Sequence, residues 1–205
     1  MSEKKTILCD VDGVVADLVG GFIQYIFEYN GIKLYKEDFI FHEVSKNTAA
    51  EDKFKKYYFS SILMYGEYNS ICYNFFVDFM RSDYAYTTHV PVIPGAIDAF
   101  KKLKEKYNII FVTAMMKSAK CNYRDKMEWI EKYFPDTQII TCPSGEKWRV
   151  KGDFAIDDRF DLCKNYQLHG TARPFVFKQN WSEIQDNDLS IEIVTGWPEI
   201  LEKLM

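Results

Sequence analysis

The sequence predicts an α/β protein: a doubly wound parallel sheet, with a helical cap inserted after the first strand. Three observations predict it. Short apolar, β-branched runs alternate with stretches of helical periodicity. Several of those runs stop abruptly at hydroxyl or carboxylate residues. Between residues 32 and 86 the spacing is helical, with no strand alternation.

Residues 5–10 read as the first strand. A helix is expected over 15–29, because Leu18, Phe22, Tyr25, Ile26 and Tyr29 share one face and Asn30-Gly31 supplies a stop. The following stretch is crowded with Phe54, Tyr57, Tyr58, Tyr73, Phe75, Phe76 and Phe79, and is read as a helical insertion with its breaks near Gly66. Pro91-Val92-Ile93-Pro94-Gly95 marks the return of the chain and feeds a helix from Ala96 to Tyr107, apolar at Ile97, Phe100 and Leu103. Asn108 to Thr113 is apolar throughout its interior, as expected for a parallel strand buried on both faces. Ser118 is placed to cap the next helix, which Pro135 ends. Thr137–Thr141, Phe154–Ile156, Arg173–Phe177 and Ile191–Val194 read as further strands, with a last helix over Trp197–Leu204. The expected division is a core of residues 1–17 and 90–205 and a cap of residues 18–89.

The 205 residues suffice for one large domain, or for one domain with an insertion. A hydrophobic content of 47%, a charged content of 27% and a net charge of −4 with scattered basic residues give no nucleic-acid surface. An anionic substrate would need local positive charge from a metal or a placed lysine. Cys9, Cys72, Cys121, Cys142 and Cys163 are widely spaced, which favours reduced thiols over disulfides or a zinc site. Acidic residues interrupt the early apolar run, so no signal peptide is read there. No 18-residue apolar stretch occurs either. The expectation is a cytoplasmic protein without membrane contact.

The chemistry centres on residues 6–17. An apolar strand ends in Asp10 and Asp12, one residue apart, followed by Gly13. Burying such acids unpaired is costly, whereas at the rim of a sheet they can share a hard cation. Mg²⁺ prefers carboxylate oxygens and takes a substrate phosphate as a further ligand. Asp10 then suits a nucleophile and Asp12 a general acid and base. The plainer reading is a surface turn after an edge strand. A calcium loop fails, because no Glu closes it at the required spacing.

Ligands of such sheets collect beyond the carboxyl ends of the strands. Asp10 and Asp12, Thr113, and Asp157 with Asp158 all fall there, and Lys147 lies between the last two sets. Taken singly, Thr113 is a strand-end hydroxyl, Lys147 a solvated lysine, and the Asp157-Asp158 pair a helix cap. Their common order and position favour one site.

That order resembles the haloacid dehalogenase (HAD) superfamily, and most closely its 5′(3′)-deoxyribonucleotidases. Supporting it are Ala16-Asp17 with Gly20-Gly21-Phe22, Ile93-Pro94-Gly95-Ala96, the step from Lys147 to Asp157, and Ile156-Asp157-Asp158-Arg159. The resemblance covers residues 5–30 and 90–180 and implies a HAD-like Rossmannoid core.

It also implies roles. Asp10 would form an aspartyl-phosphate and Asp12 would protonate the leaving hydroxyl. Mg²⁺ would rest on Asp10, Asp12 and Asp158, with Asp157 in support. Thr113, the Ala114 backbone N–H and Lys147 would bind the phosphate. Two positions depart from the pattern: Ala114 stands where serine is common, and Leu18 where an aromatic residue often contacts the base. With the second acid present, cleavage of a phosphate ester is favoured over dehalogenation. Nineteen of the 34 aromatic residues lie between 18 and 92, which would suit a base stacked on Phe39, Phe41 or His42 as well as a packed cap.

The expected function is Mg²⁺-dependent hydrolysis of nucleoside monophosphates, deoxyribonucleotides foremost, at a 5′ or 3′ phosphate. The partner is then a small-molecule nucleotide, not a nucleic acid, and a homodimer stays open. Two alternatives remain: the same chemistry on another small phosphate or a nucleic-acid 3′-phosphate, and a catalytically silent relative that binds nucleotide or a protein partner.

Overall fold

The computed structural model describes residues 4–31, 33, 35, 75–115, 120–180, 182 and 191–205. Six strands, β1 (Thr6–Cys9), β2 (Asn108–Thr113), β3 (Gln138–Thr141), β4 (Phe154–Asp157), β5 (Arg173–Phe177) and β6 (Glu192–Val194), form one sheet of order β3-β2-β1-β4-β5-β6. All neighbours pair in parallel. Helices α1 (Leu18–Asn30), α2 (Ala85–His89), α3 (Ala96–Lys106), α4 (Lys120–Tyr133), α5 (Phe160–His169) and α6 (Trp197–Leu204) connect or flank the strands. This is the doubly wound α/β architecture that the alternating pattern predicts, and β1 stands at its centre.

The strands read as continuous apolar runs because both faces are covered. Ile7, Cys9, Phe111, Ile156, Phe175 and Phe177 face the larger core with α1, α3, α4 and α6. Leu8, Val112 and Ala155 face the other way, against Tyr166 of α5 and, at its edge, Trp148. Side chains alternate along each strand. Asp10 and Asp157 therefore continue the Leu8–Ala155 face, while Thr113 continues the Phe111 face toward α4.

The strand order reverses at β1, between β2 and β4, which makes the carboxyl end of β1 the topological switch point. Asp10 is tied there by its backbone N–H to the Ile156 carbonyl at 2.9 Å.

α1 begins at Leu18 rather than residue 15. The carbonyl of Val11 accepts the N–H groups of Val14, Val15 and Ala16, and Gly13 donates back to Ala16 at 2.8 Å, so residues 11–16 close a compact loop. Asp17 then caps the helix by accepting the Gly20 N–H at 3.0 Å. The helix ends as the sequence predicts, on Gly31 with φ +67°. Residues 75–81 are helical and lay Phe76 and Phe79 on Phe22 of α1, at 5.3 and 5.9 Å between ring centroids. The sequence reading does not single out α5 or a 3₁₀ turn over Ser144–Arg149. Gly66, Ser118 and the aromatic residues Phe54, Tyr57, Tyr58 and Tyr73 fall outside the described residues, and so does Cys72.

Candidate active site

The end of β1 delivers Asp10 into a buried charge network. Its Oδ1 accepts the Val11 N–H at 2.8 Å, and its Oδ2 lies 2.7 Å from Lys147 Nζ. Lys147 comes from the 3₁₀ turn and reaches Asp157 Oδ2 as well, at 2.8 Å. Its side chain is 4% exposed, so it is not a solvated surface lysine. Asp157 Oδ1 accepts the Arg159 N–H at 3.0 Å, which fixes the turn into α5.

Burial disfavours the charged form of Asp10; Lys147 opposes this and Asp157 and Asp12 reinforce it, leaving its carboxyl pushed up to about 6. Burial alone would lower the Lys147 ammonium, but the Asp10 and Asp157 carboxylates outweigh it and hold the pKa well above the usual lysine value. Burial pushes the Cys9 and Cys163 thiols up, so both stay protonated.

Asp10, Asp157 and Asp158 each bring a carboxylate oxygen within 4.8 Å of the others, all three buried. Lys147 offsets one of the three negative charges. Hard oxygen donors gathered with surplus negative charge fit a divalent cation. Gly13 permits this crowding: a Cβ at that position would sit 2.4 Å from Asp158 Oδ2, and its φ of +75° is the left-handed region. The loop is pinned from outside by Gln179 Nε2, which donates to the Gly13 carbonyl at 2.7 Å, and by Trp197 Nε1, which donates to the Val14 carbonyl at 3.1 Å.

Asp12 sits on the α4 side. Its Oδ2 accepts Lys126 Nζ at 2.5 Å, and its Oδ1 accepts the Tyr86 hydroxyl at 2.7 Å. Lys126 also donates to Thr113 Oγ1 at 2.9 Å. A hydroxyl that accepts one hydrogen bond still has its own hydrogen to give.

A cavity of about 270 Å³ joins these groups. Asp10, Asp12, Thr113, Ala114 and Lys147 line its polar end, while Leu18, Phe76, Met80 and Met115 form an apolar wall. Pro143, Ser144 and Arg159 complete the rim. Arg159 is held by Asp161 at 2.6 Å and by Ser144 Oγ at 3.0 Å. The structure thus brings together Asp10, Asp12, Leu18, Thr113, Ala114 and Lys147 around one cavity, with Asp157 and Asp158 adjoining Asp10. Phe39, Phe41 and His42 lie outside the described residues.

Sequence reasoning missed Lys126, Tyr86, Phe76, Met80 and Arg159 as site residues. Lys126 had a readable signal: it occupies the same helical stripe as Trp129 and Ile130, where a charge is out of place.

A sequence model of the family described as 5′ nucleotidase, deoxy (pyrimidine), cytosolic type C protein matches residues 4–181. The chain belongs to this family. Membership in this nucleotidase family makes it a phosphoric monoester hydrolase. A relative from Bacillus subtilis strain 168, named 5′(3′)-deoxyribonucleotidase, is 24% identical over 194 residues, covering 89% of this chain and 97% of that one. Among solved structures, the HAD hydrolase YfnB from Bacillus subtilis, reported with magnesium bound, superposes with a TM-score of 0.60 at 15% identity, over 99% of both chains. A haloacid dehalogenase-like hydrolase from Streptococcus pneumoniae gives 0.54 at 12% identity, over 100% of both. These likenesses place the nucleotidase's sheet in the HAD fold, as the resemblance of its motifs implies. Among its described residues no helix is long and apolar enough to cross a membrane.

Proposed function

We propose that this nucleotidase hydrolyses nucleoside monophosphates, deoxyribonucleotides foremost, through an aspartyl-phosphate on Asp10 with Mg²⁺ as cofactor. The observation that carries the reading is Asp10 itself: a buried carboxylate at the cavity floor, gripped by Lys147 and flanked by Asp157 and Asp158.

Mg²⁺ would be held by Asp10, the Asp12 backbone carbonyl and Asp158, with Asp157 in support; when bound it supplies positive charge opposite the transferring phosphoryl group. Asp10, pushed up by burial, would be drawn back toward the ionised form that attack requires once a cation is held beside it. The chain's own groups do the rest. Lys147, the Thr113 hydroxyl and the Ala114 N–H bind phosphate oxygens and stabilise the charge that develops on them. An Asp10 oxygen bonds to phosphorus as the bond to the ester oxygen breaks, and Asp12 gives that oxygen its proton. Asp12 then takes a proton from water as the water attacks phosphorus, which frees phosphate and restores Asp10. Leu18, Phe76 and Met80 offer the base an apolar wall. Of the cap read over residues 18–89, residues 32, 34 and 36–74 lie outside the described residues; a cap of that extent over a core of residues 1–17 and 90–205 would suit free nucleotides.

Phosphate release from a panel of deoxy- and ribonucleotides, 3′ and 5′ isomers and sugar phosphates tests this reading. Deoxyribonucleoside monophosphates should be turned over best, with activity lost in EDTA and restored by Mg²⁺. Preference for a sugar phosphate would discard the substrate and keep the mechanism. No release from any compound, with Mg²⁺ present and the protein folded, would leave a nucleotide-binding protein.

Gly13→Ala is a second check. The new Cβ must displace Asp158, and the left-handed backbone costs an alanine about 1–2 kcal/mol. We expect a lower Tm and a higher Mg²⁺ concentration for half-maximal activity, read by thermal melts and a metal titration. An unchanged Mg²⁺ requirement would remove Asp158 from the metal site.

A further inference from the structure

We propose that Lys126 is a positioning residue for Asp12, holding that carboxylate in fixed register with the phosphate-binding end of β2, with Tyr86 as the second anchor. The inference rests on the reading of Asp12 as acid and base.

Lys126 is 1% exposed, on the face of α4 that carries Trp129 and Ile130 into the core. A buried ammonium is costly unless it is paired and hydrogen-bonded, and hydrophobic packing there gains nothing from a charge. Its two acceptors are both residues of the cavity wall, Asp12 Oδ2 at 2.5 Å and Thr113 Oγ1 at 2.9 Å. Lys126 is not itself among the described residues that line the cavity. It therefore acts through Asp12 and Thr113, spanning the two as a strut.

Tyr86 completes the hold. Its hydroxyl donates to Asp12 Oδ1 at 2.7 Å, and the Lys126 ammonium lies 5.6 Å from its ring centroid. Tyr86 is fixed in turn by α4. Asp125 accepts the backbone N–H groups of Tyr86 and Thr87 at 2.5 and 3.0 Å, and the Trp129 ring meets the Tyr86 ring edge-on at 5.5 Å. Each Asp12 oxygen thus has its own donor, one on α4 and one on α2, and keeps a second lone pair for the proton that it carries. A carboxylate held at both oxygens has one orientation, whereas a free one rotates. Proton transfer within hydrogen-bond reach depends on that orientation.

The test compares Lys126→Met, Lys126→Arg and Asp12→Asn on two phosphates. One is the preferred nucleoside monophosphate, whose alkoxide must be protonated as it leaves. The other is 4-nitrophenyl phosphate, whose phenolate leaves without a proton. kcat/KM reports the steps through phosphoryl transfer to Asp10. Lys126→Met should lower it about 100-fold on the nucleotide and under about 10-fold on 4-nitrophenyl phosphate, within the span of general acid catalysis. Lys126→Arg should regain part of the loss.

Tyr86→Phe, which deletes one hydroxyl without emptying the core, should show the same leaving-group bias at smaller size. It keeps the test decisive if Lys126→Met does not fold. Equal losses on both phosphates in the Lys126 and Tyr86 variants, while Asp12→Asn retains the bias, would overturn the proposal alone. Absence of the bias in Asp12→Asn would overturn the acid–base reading and this inference with it.

Discussion

Asp10→Asn is expected to abolish phosphate release, with turnover at least about 10⁴-fold below the unaltered enzyme, while the fold survives. The amide has no lone-pair anion to attack phosphorus, and no neighbouring carboxylate can replace it in line. Asp157 is engaged with Lys147 and the Arg159 N–H, and Asp12 with Lys126 and Tyr86. The structural cost is small. The amide oxygen can still accept Lys147, but the amide NH₂ then faces the Val11 N–H that Asp10 Oδ1 now accepts. One such unsatisfied donor costs about 1–3 kcal/mol. Removing a buried carboxylate, already pushed up to about 6 by its surroundings, offsets part of that. The variant should therefore melt within a few degrees of the parent and still bind inorganic phosphate by calorimetry. Turnover within about 10-fold of the parent would end the assignment of Asp10 as nucleophile.

Why so much of the site is legible in the sequence follows from the sheet. A parallel strand buried on both faces must be apolar, so it advertises its length, and the residue after it marks the rim. Asp10, Thr113 and Asp157 are visible for that reason. Gly13 is visible because the chain turns sharply straight after Asp12, where Asp158 leaves no room for a side chain. Lys126 and Tyr86 carry no such marker. Each reaches Asp12 through tertiary packing of α4 and α2; the apolar stripe of α4 marks Lys126 as out of place but does not say what it meets. The helix expected over 15–29 starts late for a related reason: helical spacing of the apolar residues does not show that the N–H groups of Val14, Val15 and Ala16 are spent on the Val11 carbonyl. The apolar wall for the base was half legible. Leu18 follows from the motif beside it, whereas Phe76 and Met80 are two among many apolar residues of the insertion, and spacing does not say which face the cavity.

Lys147→Met should damage both activity and stability, and pH separates the two. Lys147 lies 2.7 Å from Asp10 Oδ2 and 2.8 Å from Asp157 Oδ2, with its own side chain 4% exposed. Methionine fills the volume but leaves two buried carboxylates without their shared cation. Breaking such a pair costs about 3–5 kcal/mol, or a drop in Tm of about 10 °C for a chain of this size. The sign of the pH dependence follows from Asp10. Its folded pKa is raised above the ordinary carboxyl value even with Lys147 present, and Lys147 is the group that lowers it, so the variant's rises further. A carboxyl whose folded pKa is raised binds more protons in the folded state, so stability falls as pH rises through that window. Without divalent metal, the Tm deficit of Lys147→Met should be largest near pH 8 and should narrow as the pH is lowered toward 5. Activity should move the opposite way: the ionised nucleophile becomes scarcer, so the acidic limb of the pH–rate profile shifts to higher pH. A Tm deficit independent of pH would mean that Lys147 acts through packing rather than charge. An unshifted acidic limb would separate it from the ionisation of Asp10.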